Sequence, residues 1–235
     1  MIKQTKGKIF LAAERGINET AWLCSCNTFN FGKYQHEHKQ PVGDMYVLND
    51  DTLAGRKSFH MLIEEDSYVI ILPVHGAVET NNSLAVAGQA QLVNAQRGTK
   101  IGLCNPFGKD PVNFLQVWIK SGAGKINSGT QTFTYPDVND NINRLVPVFS
   151  DTEGQLPFVF SIGKFSGRGE TVYQKKQSNS FLFVFVLEGA FEVEGRLLHA
   201  RDGLTLYDAE EADMEALSAG AIILLIEQPL TGLPV

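Results

Sequence analysis

Two short motifs place potential metal ligands two positions apart. His36 and His38 enclose a glutamate, and Cys24 and Cys26 enclose a serine. Residues i and i+2 of a strand point to the same face, so either pair could contribute to a metal site, and the thiols could also cycle between redox states. No partner cluster accompanies either pair in the sequence, and the residues around His36 are polar. These patterns predict a solvated loop at the histidines and buried, inert thiols at the cysteines.

The three other histidines differ in their surroundings. His75 precedes a glycine in a predicted turn, and His199 stands at the end of a predicted strand, so we expect both on the surface. His60 lies inside the apolar segment Phe59 to Ile63, where a side chain could reach the mouth of a cavity. His60 is therefore a candidate site residue.

The overall composition excludes several classes of function. The 235 residues carry a net charge of −6 without a Lys/Arg cluster, which argues against direct binding of nucleic acid. The three cysteines are an odd number, so a disulfide framework is not expected and the cytoplasm is the natural location. The apolar stretch Ile9 to Ala13 is too short for a signal peptide, and no run approaches the roughly 20 residues of a membrane helix.

A repeated pattern in the sequence predicts the strands that would position the candidate site residues. Between Phe181 and Gly203 a continuous apolar run is followed by a glycine, an alternating segment and a second glycine. A fainter copy runs from Tyr68 to Gly88. Each copy is typical of a hairpin with one face in a core, and two copies roughly 110 residues apart predict two similar β-barrels.

The rest of the chain supports an all-β fold with two domains. Short apolar segments recur at close intervals with turn residues between them and without a strong helical period. The segment Ser121 to Asn143 is rich in Gly, Ser and Asn, which is typical of a linker. We place the boundary near residue 130, which gives an N-terminal domain of residues 1–130 and a C-terminal domain of residues 131–235.

Several ordered motifs resemble the pirin family. In the first half these are Trp22-Leu23, Asn27 to Gly32 and Val47 to Asp50. The second half adds another ordered set of motifs: Leu187 to Gly189, Val193 to Gly195, Asp202 to Leu204, Asp208 and Ile223 to Leu225. The resemblance covers nearly the whole chain and implies a bicupin, in which two antiparallel, jelly-roll-like cupin barrels pack together.

The resemblance also implies a metal site in the N-terminal barrel, where the family uses a His-x-His pair and a later His-x-Glu pair to hold Fe or a similar ion. Quercetin dioxygenases and a nuclear transcription cofactor belong to that family. An alignment without gaps puts Leu62 and Glu64 at the first pair, and Leu103 and Asn105 at the second. Leucine cannot donate a lone pair to a metal, so the metal centre is expected to be absent and no cofactor is expected.

Leu62, Glu64, Leu103, Asn105 and His60 therefore define a predicted pocket at the former metal site. The first interpretation is a non-catalytic protein that binds a small molecule or another protein. A second is a metal-independent enzyme, such as an isomerase, in which Glu64 holds a proton near neutral pH because apolar residues enclose it. A third is a quercetinase-type dioxygenase in which a shifted register brings His60, Glu64 and Asn105 onto Fe or another divalent transition metal.

Overall fold

The computed structural model describes residues 5–122, 127–149, 156–177 and 179–230, and their regular structure is β apart from one 3-10 turn at Ala12–Glu14. In chain order the strands are β1 (Gly7–Phe10), β2 (Gly16–Glu19), β3 (Leu23–Asn27), β4 (Met45–Leu53), β5 (Ser58–Leu62), β6 (Ser67–His75), β7 (Ala77–Thr80), β8 (Ser83–Val86), β9 (Gln89–Ala95), β10 (Lys100–Cys104), β11 (Val112–Lys120), β12 (Gly129–Thr134), β13 (Arg144–Pro147), β14 (Val159–Phe165), β15 (Glu170–Gln174), β16 (Ser180–Glu188), β17 (Ala190–Val193), β18 (Arg196–His199), β19 (Gly203–Leu206), β20 (Glu211–Ala216) and β21 (Ala221–Pro229). The all-β prediction is confirmed. The described residues contain no helix with the length and apolar character that crossing a bilayer requires.

The chain divides into two compact units. One is Arg15–Thr134, and the other combines Met1–Glu14 with Tyr135–Val235. The division after Thr134 lies close to the predicted boundary at residue 130. The first strand was predicted for the N-terminal domain, and this is wrong, because β1 pairs with β19 in the register Gly7↔Leu206. A strand as short as β1 could pair with any open sheet edge, and the sequence does not say which.

The unit Arg15–Thr134 contains two antiparallel sheets. The larger has the order β12-β9-β6-β11-β4-β3-β2, and the smaller has the order β5-β10-β7-β8. Val47, Val69 and Phe114 of the large sheet and Ile101 and Leu103 of the small sheet belong to one buried cluster. The interior faces of both sheets therefore enclose a shared core, as in a β-sandwich.

The second unit is built in the same way. A six-stranded sheet, β1-β19-β16-β21-β14-β13, shares a core with a four-stranded sheet, β15-β20-β17-β18. The apolar run Phe181 to Leu187 forms most of β16 and is buried on both faces. Within each unit, the described strands form two separate sheets rather than a closed barrel, so the predicted barrels are seen here as two-sheet sandwiches.

The repeated pattern is present in both units, but its first glycine does not close a hairpin. After Gly76 the chain leaves β6 in the large sheet and enters β7 in the small sheet, and Gly189 does the same between β16 and β17. Both glycines have positive φ (82° and 76°), a conformation that a residue with a Cβ rarely adopts. The paired hairpins are β7–β8 and β17–β18 instead, whose turns are Asn81-Asn82 and Glu194-Gly195.

One buried carboxylate organises the end of the second unit. Glu227 of β21 is fully buried and accepts four hydrogen bonds. Its donors are the hydroxyls of Tyr173 (2.8 Å) and Ser180 (2.6 Å) and the backbone N–H groups of Lys176 (2.9 Å) and Gln177 (2.7 Å). Burial is the main cause of a raised pKa for Tyr173, and the hydrogen bond to Glu227 raises this pKa further. The Tyr173 hydroxyl therefore keeps its proton and donates. Glu227 therefore serves the fold, because its carboxylate is saturated with donors.

Replacing Glu227 by alanine should destabilise the protein by at least about 3 kcal/mol, since several buried donors would lose their acceptor. Urea unfolding of the full chain measures the loss. Glu192→Ala, which removes an exposed carboxylate from β17, is the matched control and should change stability by less than about 0.5 kcal/mol. Equal stability of the two variants would contradict a structural role for Glu227.

Candidate functional site

The pairing of β5 with β10 decides which side chains enter the core of the N-terminal unit. Phe59 pairs with Leu103, and Met61 pairs with Ile101. These four residues and Ile63 contact the buried cluster between the sheets. The alternate residues of both strands therefore point away from the core. The interior face of this pair presents hydrocarbon and one thioether.

Three of the predicted site residues lie outside this interior. Leu62 is 53% exposed, and His60 and Glu64 are also exposed. The expectation that Leu62 and Glu64 point inward is therefore corrected by the structure. The physical reason is the two-residue alternation of a strand, in which an offset of one residue exchanges the two faces. Glu64 lies in the connection after β5, without the apolar enclosure that the metal-independent enzyme would require.

The other two predicted residues are buried. Leu103 belongs to the core cluster. Asn105 is 1% exposed, and its amide nitrogen donates to the carbonyls of Leu53 (2.8 Å) and Asp110 (2.9 Å). Its amide oxygen accepts from the N–H of Phe107 (2.9 Å). Asn105 therefore fixes the loop after β10, and all of its polar atoms are used for that purpose.

The motifs with two-residue spacing lie apart from the core. His36 and His38 are exposed in a loop, as predicted, and His75 and His199 are exposed as well. Cys24 and Cys26 share one face of β3 and are half-buried rather than buried. Burial raises the pKa of Cys26, and the nearby Arg15 opposes this increase. The described residues contain no group of three or more His, Cys, Asp or Glu side chains that could hold a metal ion.

A shallow groove of about 390 Å³ lies on the outer face of the small sheet. The His60 ring lies over Gly102, where an added Cβ would be 3.2 Å from the ring atoms. Asn81 continues the ladder beside Gly102, since its side-chain oxygen accepts from the Gly102 N–H (2.9 Å) and its own N–H donates to the Gly102 carbonyl (3.0 Å). Lys100 and Cys104 complete this side of the groove. The groove brings His60 to a surface and leaves Asn105 and Glu64 outside it.

The interior face of the large sheet carries a chain of polar side chains that the sequence analysis did not identify. Asn18 donates to the Asn27 amide oxygen (2.6 Å), and Asn27 donates to the Ser25 hydroxyl (3.0 Å). The Ser25 side chain forms a hydrogen bond with Asp51. The side-chain amide nitrogen of Gln116, on β11, also donates a hydrogen bond to Asp51. This relay links β2, β3, β4 and β11.

Trp118 closes the relay at its far end. Its indole N–H donates to the side-chain oxygen of Gln116 (3.2 Å). The Trp118 ring is held by edge-on contacts with Phe31 and Tyr46, at ring separations of 5.9 and 5.8 Å. Both polar ends of Gln116 are therefore used, and its orientation toward Asp51 is fixed.

Two side chains on the interior face of the large sheet have polar atoms without a hydrogen-bond partner. The Oδ1 atom of Asp51 and both side-chain polar atoms of Asn49 are buried and have no hydrogen-bond partner among the described residues. Asn49 and Asp51 alternate along β4 and have the same parity as Val47 and Leu53, which belong to the core cluster. Their side chains therefore point into the interior.

Asp51 is electrostatically unusual. Burial raises its pKa to about 6 from an ordinary 3.8, although hydrogen bonds from Ser25 and Gln116 oppose the increase. The neighbouring Asp50 raises it slightly further. Asp50 itself forms an ion pair with Arg15 (3.2 Å) on the other face of the sheet. Asp51 is thus a buried carboxyl group whose charge changes just below neutral pH.

The donor set inside this unit does not fit a metal held by histidine and glutamate. On β5 and β10 the inward residues are Phe59, Met61, Ile101 and Leu103, and Asn105 is saturated by its own hydrogen bonds. Asp51 is the interior carboxylate of the opposite wall and has amide and hydroxyl neighbours rather than imidazoles. The large sheet can therefore accept and donate hydrogen bonds in this interior. The small sheet supplies apolar contacts.

Comparisons with known proteins agree with the sequence motifs. Residues 158–227 match the family described as the quercetinase C-terminal cupin domain. The chain is 26% identical over 220 residues to a pirin-like protein of Caulobacter vibrioides, covering 89% of this chain and 94% of that protein. It is 23% identical over 235 residues to a quercetin 2,3-dioxygenase of Escherichia coli, covering 93% and 97%. The fold matches the Escherichia coli pirin YhhW in complex with nickel(II), with a TM-score of 0.82 at 20% identity, covering 95% and 99%. The predicted resemblance to the pirin family is confirmed.

Asp51→Asn should change how stability depends on pH. Because the folded-state pKa is raised, the favourable contribution of protonated Asp51 is fully present below about pH 3.8 and is lost as pH rises through about 6. This loss amounts to about 3 kcal/mol. Urea unfolding at several pH values should therefore show the wild type losing stability relative to Asp51→Asn between about pH 4 and about pH 7.

The matched control is Asp110→Asn, which removes an exposed carboxylate and should follow the wild-type pH curve. If the wild type and Asp51→Asn keep a constant difference in stability across this pH range, the raised pKa of Asp51 is contradicted.

Proposed function

Taking this chain as a pirin-like cupin, we propose that it is a non-catalytic binding protein without a resident metal centre. Its N-terminal unit, Arg15–Thr134, binds a small molecule between the two sheets. The C-terminal unit, whose buried Glu227 is saturated by structural hydrogen bonds, has a structural role. Jelly-roll-like cupin barrels remain the expected description of both units.

One observation carries this proposal: the inward face of β5 and β10. The family to which the chain is similar uses imidazole and carboxylate donors in this part of the fold, whereas the residues that contact the core here are Phe59, Met61, Ile101 and Leu103. A carbon side chain offers no lone pair to an ion, and a single thioether is a weak, soft ligand. Leucine and isoleucine instead offer apolar contacts.

A small molecule is favoured over a protein as the partner. The unpartnered polar atoms of Asn49 and Asp51 are inside the unit, where a protein surface could not reach them without unfolding it. Polar atoms that are buried without partners cost free energy, and a ligand that pairs with them would offset this cost.

The two enzyme alternatives are less well supported. A metal-independent enzyme based on Glu64 needs an enclosed carboxyl group, and Glu64 is exposed. A dioxygenase of the quercetinase type would need His60, Glu64 and Asn105 on one ion. His60 and Glu64 are exposed, while the amide of Asn105 is committed to three backbone groups. The name of the Escherichia coli relative favours this alternative, and the oxygen assay below tests it.

The remaining expectations about the cell are part of the same proposal. All three cysteines are free thiols, which suits a reducing compartment such as the cytoplasm. A net charge of −6 is unfavourable for a direct nucleic-acid partner.

Metal analysis tests the proposal. We expect the full chain, expressed in medium supplemented with iron, nickel and manganese and purified without chelator, to retain far less than one ion per chain by plasma mass spectrometry. YhhW of Escherichia coli, which is known with bound nickel(II), is the matched positive control for the same procedure. We also expect no oxygen consumption with quercetin in the presence of these metals.

One bound ion per chain, or oxygen consumption with quercetin that depends on an added metal, would overturn the non-catalytic proposal. In that case His60→Ala tests for the shifted register of the dioxygenase alternative, because a site that uses His60 as a ligand would lose its ion in this variant.

A further inference from the structure

The polar wall inside the N-terminal unit presents three unsatisfied groups in a fixed arrangement. Asn49 offers one acceptor and one donor, and the Oδ1 atom of Asp51 offers a second acceptor. Both residues are 1% exposed. They lie two residues apart on β4, which places their backbones about 7 Å apart on one face. Three orphaned polar atoms in one place would be costly if they served packing alone.

The surrounding network holds Asp51 in place. Asp51 receives hydrogen bonds from Ser25 and Gln116, and Gln116 is itself held by Trp118. Gln116 is also the cross-strand partner of Asn49 in the β4–β11 ladder. The unsatisfied atoms therefore lie beside Gln116, whose own polar atoms are paired.

We propose that this wall, formed by Asn49, Asp51 and Gln116, binds a small uncharged molecule with a ureido edge, in which a carbonyl stands between two N–H groups. One N–H donates to the side-chain oxygen of Asn49, and the carbonyl accepts from its amide nitrogen. The second N–H donates to Asp51. This assignment rests on the proposed function and names the ligand class of that site.

Other ligand chemistries leave part of the wall unsatisfied. A carboxylate or phosphate would be repelled by Asp51 once that group is ionised. An ammonium ion would satisfy both acceptors but leave the amide donor of Asn49 without a partner. A ureido edge, with two N–H groups and one carbonyl, matches the two acceptor atoms and the one donor atom of the wall in number, and the apolar side chains opposite favour a molecule without charge.

The segment between β3 and β4 packs on the interior face of the large sheet. Phe31 of this segment packs on Trp118. The ring of Tyr34 lies so close to Gly16 that an added Cβ would be 2.2 Å from it. Gly16 pairs with Asn27 of the relay, so its ring contact is on the interior side of the sheet. Phe31 and Tyr34 therefore contact the two ends of the relay, at Trp118 and at Gly16.

Binding of ethyleneurea, a compact molecule with this edge, tests the inference. We expect a titration of the isotopically labelled full chain, followed by NMR, to shift the side-chain amide signal of Asn49. The N,N′-dimethyl derivative, which lacks both N–H groups, should bind at least about tenfold more weakly. Asn49→Leu should also weaken ethyleneurea at least about tenfold, while its thermal midpoint stays at or above that of the wild type because an unsatisfied amide has been removed.

His60→Ala is the matched control, since it alters the exposed groove of the same unit and should leave the affinity unchanged. The inference is overturned if ethyleneurea does not bind, if it binds Asn49→Leu as tightly as wild type, or if a high-resolution structure with ethyleneurea shows the wall satisfied by ordered water only. If one of these results is obtained with protein that contains no metal, the ligand class alone is refuted. If the protein contains one metal ion per chain, the proposed function is refuted.

Discussion

The N-terminal unit depends on how its interior satisfies buried polar groups. A hydrogen-bonding group taken out of water must find a partner, because an unmade bond in a low-dielectric interior costs more than an average bond returns. The relay from Asn18 to Trp118 meets this requirement across β2, β3, β4 and β11, and each member fixes the next. At Asp51 and Asn49 the requirement is left open, and the proposed ligand is placed at these two residues for that reason.

The two walls of this interior differ in chemistry. The small sheet, which was expected to carry the remains of a metal centre, contributes Phe59, Met61 and Leu103 to the core. Polar chemistry is found on the opposite sheet, where Asp51 has a pKa raised to about 6. An apolar inward face on one wall therefore does not make the whole interior apolar, because the opposite wall carries hydrogen-bonding groups.

Much of the fold could be predicted because strand patterns are local. The two copies of the repeated pattern and the second unit's apolar run from Phe181 to Leu187 follow from alternation and glycine positions alone. The sheet to which a strand belongs is a non-local property, so Gly76 was interpreted as a hairpin turn although it marks a change of sheet. The predicted orientation of the β5 side chains differs from the structure for a related reason. Both faces of the segment Phe59 to Ile63 carry apolar residues, and pattern cannot choose between them.

The polar wall had a sequence signal that was available but not used. Within β4 the inward parity runs from Val47 through Asn49 and Asp51 to Leu53, so two polar residues occupy positions where the strand is otherwise apolar. Asn105 shows the limit of such signals. It was predicted to line the pocket at the former metal site, and its three backbone partners depend on the loop around it, so they could be identified only from coordinates.

The pairing of β1 with β19 sets the order in which this chain can mature during synthesis. The unit Arg15–Thr134 is nested between two segments of the other unit, so it can finish folding while the ribosome is still producing the remainder. The opening strand, although made first, must wait for β19 near the other end before it gains a neighbour. Cutting the chain after Thr134 would therefore give one self-contained half and one half whose six-stranded sheet lacks a strand.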